Sequence, residues 1–378
     1  MEADRVTEYL EKPVIQQYKS DVGFRTLVDS VNDHMYVIPK YQRKYRWNKE
    51  KVVGLVESLL RGLPIPPIYT CRNGDNQLEI LDGQQRVMSL FFYYIGAFLD
   101  RRKASAVNFS SLLIKDNQTF KEALQEQFPL EELHITLSGE QGREINVDYA
   151  SLPVAVKRKV DYTTITVIEI KIDQPDQRER VLRTIFANLN KGGELLSEQE
   201  QRNGIYNCTF YDMLREFNRE NGKWRSLWGR EDAKERDMET LLRFCALRKY
   251  TSYLSGKNEF VIEGYQSNYV KMLDRFSEES MDFTEKENAE YKKSLEDFVN
   301  LFEVTMKFSQ KVALLESLYV IFEKKGFCSK ITQEMCDEIL GSSIYTSNSR
   351  QGTVEMSRMN KRWNAVYEIS ARSDGANY

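Results

Sequence analysis

A chain of 378 residues, 41% hydrophobic and 29% charged, has the composition of a globular protein too long for one small core. Its net charge of −3 excludes a global basic field for nucleic acid and leaves room only for a local basic groove. The longest apolar run, Val87 to Leu99, carries Ser89 and Gly96 and is too short to span a bilayer, and Met1-Glu2-Ala3-Asp4-Arg5 lacks the apolar centre of a signal peptide, so no membrane partner and a cytoplasmic location are expected.

In chain order, Met35 to Pro39 reads as a strand, followed by a basic-aromatic segment ending at Trp47. Asn48 is a good N-cap for a helix running to Arg61, with Val52, Val56, Leu59 and Leu60 on its apolar face and Gly62 as its stop. Leu63-Pro64-Ile65-Pro66-Pro67 must be extended, because each proline pushes its predecessor out of the helical region. Two short strands, 68–72 and 77–81, flank the turn Asn73-Gly74-Asp75-Asn76. The second strand leads through Asp82-Gly83 into an apolar helix predicted over 84–99. A helix near 117–127, a strand over 164–172 and a helix over 178–189 follow. Ser197-Glu198-Gln199-Glu200 reads as a capping box opening another helix. Beyond 208 the pattern is helical almost throughout, with helices around 208–220, 236–254, 265–277, 285–308 and 311–325. The expected fold class is α+β, an α/β domain over residues 1–205 and a mostly helical domain over 206–378.

The five cysteines (Cys71, Cys208, Cys245, Cys328, Cys336) form no C-x-x-C pair, so neither a disulfide framework nor a zinc site is suggested. The two histidines, His34 and His134, have no ligand-like spacing, and no metal-ligating residues are assigned. A P-loop sequence is absent.

The strand–helix junction at 82–86 carries the most chemistry. Gly83 lets the backbone take a strained turn or approach a ligand. The first turn of the helix offers unpaired N–H groups, a natural anion site. Arg86 lies in that same turn, where a cation is unfavourable unless an anion is near. One reading is a cap, with Asp82 accepting from the Gln85 N–H. The other is a phosphate pocket, with Asp82 orienting a water or a magnesium ion.

Three marks, Pro39-x-Tyr41-Gln42-Arg43 with Trp47, Gly62-Leu63-Pro64-Ile65-Pro66, and Asp82-Gly83-Gln84-Gln85-Arg86, occur in an order and spacing that resemble the GmrSD-type N-terminal domain family, itself similar to ParB and sulfiredoxin. A second block, Phe186 to Asn190 with Gly193, Leu195, Glu200, Arg202 and Asn203, resembles the same family. The resemblance covers roughly 22–215. It implies nucleoside triphosphate binding or hydrolysis, with Asp82, Gln84 and Arg86 as the catalytic group and magnesium arriving with the nucleotide. It makes Gln42, Arg43, Gly83 and Gln85 nucleotide contacts; Asn188 and Asn190 read either as amide ligands beside the nucleotide or, with Gly192-Gly193, as the C-cap of a helix. It also implies a role in defence against modified or foreign DNA.

Lys44, Arg46 and Trp47 interleave cations and a ring, the chemistry that contacts nucleic acid; the same pattern also describes a basic loop anchored by its aromatics. DNA and a nuclease or other defence subunit are the candidate partners, and an oligomer is allowed. The family's HNH nuclease needs a histidine base, and no histidine follows His134, so DNA cleavage by this chain is not expected. The carboxylates between Glu231 and Glu239 and the basic residues Arg350, Arg358, Lys361 and Arg362 both read as charged solvent faces. The alternatives to a hydrolase are a non-catalytic, nucleotide-switched DNA-binding or adaptor subunit, and a metal-dependent nickase.

Overall fold

A computed structural model describes residues 15–100, 102, 107–138, 144–172, 178–189, 197–303, 306, 311–327, 329–350 and 354–375. The chain divides into two compact units, 1–195 and 196–378. The expected α+β class holds: a mixed sheet with helices comes first, and helices dominate afterwards.

The first unit is built on β1 (Ile15–Gly23), α1 (Phe24–Asn32), β2 (Tyr36–Val37), α2 (Lys49–Arg61), β3 (Ile68–Arg72), β4 (Leu78–Asp82) and α3 (Gln84–Ile95). There follow β5 (Ala97–Leu99), α4 (Phe120–Gln127), β6 (Leu130–Glu132), β7 (Thr136–Ser138), β8 (Glu144–Asn146), α5 (Val154–Asp161), β9 (Thr164–Ile172) and α6 (Arg178–Leu189). Five strands make the main sheet, in the order β1-β9-β3-β4-β2. β9 runs antiparallel to β1 and parallel to β3, while β4 runs antiparallel to β3 and parallel to β2. Strand alternation sends Ile68, Ile80, Ile165 and Val167 to one face, against α1, α2 and α3. Cys71, Leu81 and Ile170 point to the other, where Leu182 of α6 covers them.

Local chemistry explains the ends of these elements. The Asn48 side chain accepts from the Lys51 N–H at 3.1 Å, and Gly62 closes α2 in the left-handed region. In α3, nine of twelve residues are buried, as a helix apolar on nearly every side should be. The helix stops at Ile95, short of the predicted 99, because Gly96 takes φ +66° and the chain turns into β5. The apolar sequence continues through that turn, so hydrophobicity alone does not reveal the break. β1 and α1 carry no signal in the sequence reading, although β1 pairs with β9 along nine residues.

The second unit contains α7 (Glu198–Ile205), α8 (Thr209–Glu220), α9 (Gly222–Trp228), α10 (Arg236–Tyr250), β10 (Thr251–Leu254) and β11 (Glu259–Ile262). It continues with α11 (Tyr269–Glu279), α12 (Glu285–Val299), α13 (Lys311–Lys325), α14 (Gln333–Gly341), α15 (Ser343–Ser347) and α16 (Met356–Gly375). The capping box at Ser197 forms with both of its hydrogen bonds. The helix predicted over 236–254 ends at Tyr250; Thr251 to Leu254 instead pairs with β11 as a hairpin. The core is aromatic: Phe244 of α10 stacks on Tyr319 of α13 with ring centres 4.6 Å apart. On α16, Met359, Trp363, Val366 and Ile369 fall at helical spacing and are buried.

At two charged residues the structure departs from the expected solvent face. Arg362 is not part of a solvent face: it is 1% exposed and donates to the Glu316 carboxylate at 2.9 Å and the Asn348 carbonyl at 3.2 Å. Asp237 is fully buried as well, pairing with Arg225 at 3.1 Å and accepting from Asn218 at 3.1 Å. Each is tolerated inside because an opposite charge and hydrogen bonds replace its water.

Candidate functional site

The turn from β4 into α3 begins with a register shift. Tyr69 pairs with Asp82 but Thr70 pairs with Ile80, leaving Leu81 as the extra residue of a bulge. Gln42 answers this locally: its Nε2 donates to the Ile80 carbonyl at 2.9 Å and the Leu81 carbonyl at 2.7 Å. The loop carrying Gln42 wraps the end of β4. Tyr41 packs among the residues under α6, whereas Tyr45, fully buried, packs on the α3 side against Phe92, Phe98 and Phe109.

Gly83 has φ +101°, and a Cβ there would stand 3.2 Å from both the Ile68 side chain and the Arg86 guanidinium. Only glycine meets both demands. It is the N-cap of α3, and no side chain caps the helix. Asp82 therefore does not accept from the Gln85 N–H. Its Oδ2 instead receives Arg86 Nη2 at 2.7 Å, and the same nitrogen donates to the Pro67 carbonyl at 2.9 Å. The anion that a cation in the first helical turn requires is thus the residue four positions earlier.

The two glutamines have opposite fates. Gln85 Oε1 accepts from the Arg46 N–H at 2.9 Å and the Trp47 N–H at 3.2 Å, and its Nε2 donates to the Lys44 carbonyl at 3.2 Å. Both ends of its amide are committed to the loop, so Gln85 bolts that loop to α3. Gln84 is 3% exposed, and neither Oε1 nor Nε2 finds a hydrogen-bond partner among the described residues. Arg86 Nε is buried without a partner too. Such atoms are uncommon inside proteins, because each has surrendered water for nothing.

Of the other predicted site residues, Arg43, Arg46 and Trp47 are half-buried, and the backbone N–H groups of Arg46 and Trp47 meet Gln85. Lys44 is 4% exposed, which removes it from any surface that a duplex reaches. It lies between Gln42 and Tyr45, which are buried as well. Asn188 is exposed near the end of α6, on the sheet face opposite α3, and Asn190 lies outside the described residues. Arg202 belongs to the second unit, where Asp274 receives its Nε at 2.8 Å. The sequence reading missed Ser89, whose hydroxyl donates to the Gln85 carbonyl at 2.7 Å and bonds the Tyr45 hydroxyl at 2.8 Å. A serine inside an otherwise apolar helix, four residues after Gln85, was the available signal.

Among the described residues, no group of three or more His, Cys, Asp or Glu is placed to hold a metal ion, and no helix is long and apolar enough to cross a membrane. The glycine turn, the buried glutamine pair and the Asp82–Arg86 clasp all lie within a stretch, residues 24–207, that matches the GmrSD restriction endonuclease, N-terminal domain. The chain carries a GmrSD-type N-terminal domain. The matched stretch takes in all of the first unit from α1 onward and α7 of the second. It associates the chain with restriction-type defence. No curated protein matches the chain.

Proposed function

We propose that the GmrSD-type domain binds a nucleoside triphosphate at Asp82–Arg86 and hydrolyses it, coupling that event to DNA or to a partner subunit in restriction-type defence. The observation that carries this reading is the buried, unpartnered amide of Gln84 at the uncapped N-terminus of a twelve-residue helix. An amide presents a donor and an acceptor together, which suits a ligand with both kinds of group. The first N–H groups of α3 add the positive end of a dipole, suited to phosphate oxygens. Gly83, with no side chain, leaves the room in which the Arg86 guanidinium seats itself over the turn.

In this reading Arg86 neutralises phosphate charge, held in place by the Pro67 carbonyl. Asp82 has one oxygen bound by Arg86, and the other orients the attacking water. Magnesium needs only one or two protein carboxylates when phosphates supply the remaining ligands, and Asp82 fits that role; bound there, it would supply charge neutralisation. Gln42 and Gln85 are positioning residues that fix the loop and the bulge around the turn. One observation favours the alternative, a binding module without turnover: Asp82 Oδ2 is already engaged by Arg86 at 2.7 Å.

The test is calorimetric titration of the full chain with each nucleoside triphosphate and magnesium, alongside phosphate release. Binding with release supports hydrolysis, and binding alone selects the switch module. Absence of binding by every triphosphate sinks both.

A further inference from the structure

The second unit has a chemically distinct feature that the nucleotide reading does not use. A cavity of about 610 Å³ opens among α9, α10, α11, α13 and α16. Its volume falls in the range of small-molecule sites, about 300–1,000 Å³. Four arginines line it, Arg230, Arg236, Arg243 and Arg362, against two carboxylates, Asp232 and Glu316. Trp228 and Tyr269 supply aromatic wall.

The arginines are not equivalent. Arg362 is spent on Glu316 and the Asn348 carbonyl. Arg243 donates to Glu239 at 2.7 Å and lies over the Tyr269 ring, 4.6 Å from its centre. Arg236 pairs with Asp232 at 2.9 Å but is mostly exposed. Arg230 is exposed and makes no hydrogen bond or ion pair among the described residues. An excess of guanidinium, one of them uncommitted, calls for an anion.

Tyr269 supplies the second, independent observation. It is 94% buried by its 6% exposure, and its hydroxyl finds no partner among the described residues. Burial, and then the nearby Glu316 carboxylate, hold its ionisation well above the ordinary tyrosine value, so it remains a donor. A buried donor on a cavity wall is satisfied by whatever fills the cavity.

We propose that this cavity binds a phosphorylated small molecule bearing a planar ring, a nucleoside phosphate in size and chemistry. Arg230 and Arg236 meet the phosphate, the Tyr269 hydroxyl donates to the ligand, and Trp228 stacks on the ring. The site is separate from Asp82–Arg86 and makes the helical unit a second ligand-binding element.

The experiment titrates the full chain with AMP, GMP, CMP and UMP, with adenosine as a probe lacking phosphate and inorganic phosphate as a probe lacking the ring. At least one monophosphate binds more tightly than either half-probe. Arg230→Ala weakens it by about tenfold or more, the range for a hydrogen bond to a charged group. Tyr269→Phe weakens it by about three- to tenfold while the ligand-free melting temperature stays level or rises, since an unpartnered hydroxyl has gone. Gln84→Leu, in the first unit, leaves this binding unchanged. No binding of any monophosphate overturns the proposal, as does binding indifferent to both Arg230→Ala and Tyr269→Phe. Equal affinity for inorganic phosphate or for adenosine overturns it too. Triphosphate binding weakened about tenfold in Gln84→Leu, with the monophosphate response intact, separates this site from the one in the first unit.

Discussion

Both units set arginine against carboxylate, yet they do so differently. At the turn of the first unit, Asp82 and Arg86 are four residues apart, partly exposed, and share one short hydrogen bond. In the second, Glu316 and Arg362 are 46 residues apart and 2% exposed on both sides, with Arg243 3.8 Å from the other carboxylate oxygen. The first pair is a local clasp over a helix start and can open at modest cost. The second replaces water for two buried charges and must stay closed. A site that exchanges ligands fits the first arrangement, and a wall that supports a site fits the second.

The largest expected effect tests that contrast. Glu316→Ala leaves Arg362 charged and buried, and should destabilise the protein by about 3–5 kcal/mol in denaturant unfolding. Asp82→Ala, breaking a pair that water already reaches, should cost about 1 kcal/mol or less. Equal losses would erase the distinction between the two arrangements.

Next in size is the glycine. Gly83→Ala forces a side chain into φ +101° against Ile68 and Arg86 and should cost about 1–3 kcal/mol. A variant as stable as the parent would mean that the turn can rearrange, and with it the seating of Arg86.

A finer test uses neighbouring amides. Gln85→Ala strips the partner from two backbone N–H groups and should cost about 1–3 kcal/mol. Gln84→Leu removes atoms that have no partner, so stability should hold within about 0.5 kcal/mol while triphosphate affinity falls about tenfold. If Gln84→Leu instead unfolds the protein and spares binding, the roles assigned to the two glutamines are reversed. On the catalytic side, Asp82→Asn should keep most triphosphate affinity and lose phosphate release; unchanged release would remove Asp82 from the chemistry.

The smallest effect lies on the surface of the first unit. His134 is bonded by Asp148 at 2.9 Å and Glu132 at 3.2 Å, which raises its ionisation above the ordinary value of 6.5. A folded value above the unfolded one means that its stabilisation is complete below about pH 6.5 and is lost as pH rises through the raised value. A proton-detected titration of His134 should return toward 6.5 in Asp148→Asn. No movement would show that the pairing is absent in solution.

By itself the sequence determined what is local. The Asn48 cap, the Ser197 capping box, the strand at 164–172, the helices at 178–189 and 311–325 and the glycine turn into a buried helix are each set by contacts within a few residues, so their signals survive without the fold. The candidate motif was legible for the same reason, as was the need of Arg86 for an anion. Tertiary structure alone decided which anion that was and which glutamine was spent. Gln85 meets the backbone of residues 44–47, some forty positions away, and Gln84 does not. β1 owes its place to pairing with β9 across the whole unit, and its own sequence, mostly polar and exposed, carries no apolar alternation. Lys44, Asp237 and Arg362 look like surface charges in the sequence because charge is normally solvated; only packing supplies the distant partners or the closed shell that takes them inside. Side-chain type fixes what a residue needs, while the fold decides whether that need is met by the chain or left for a ligand.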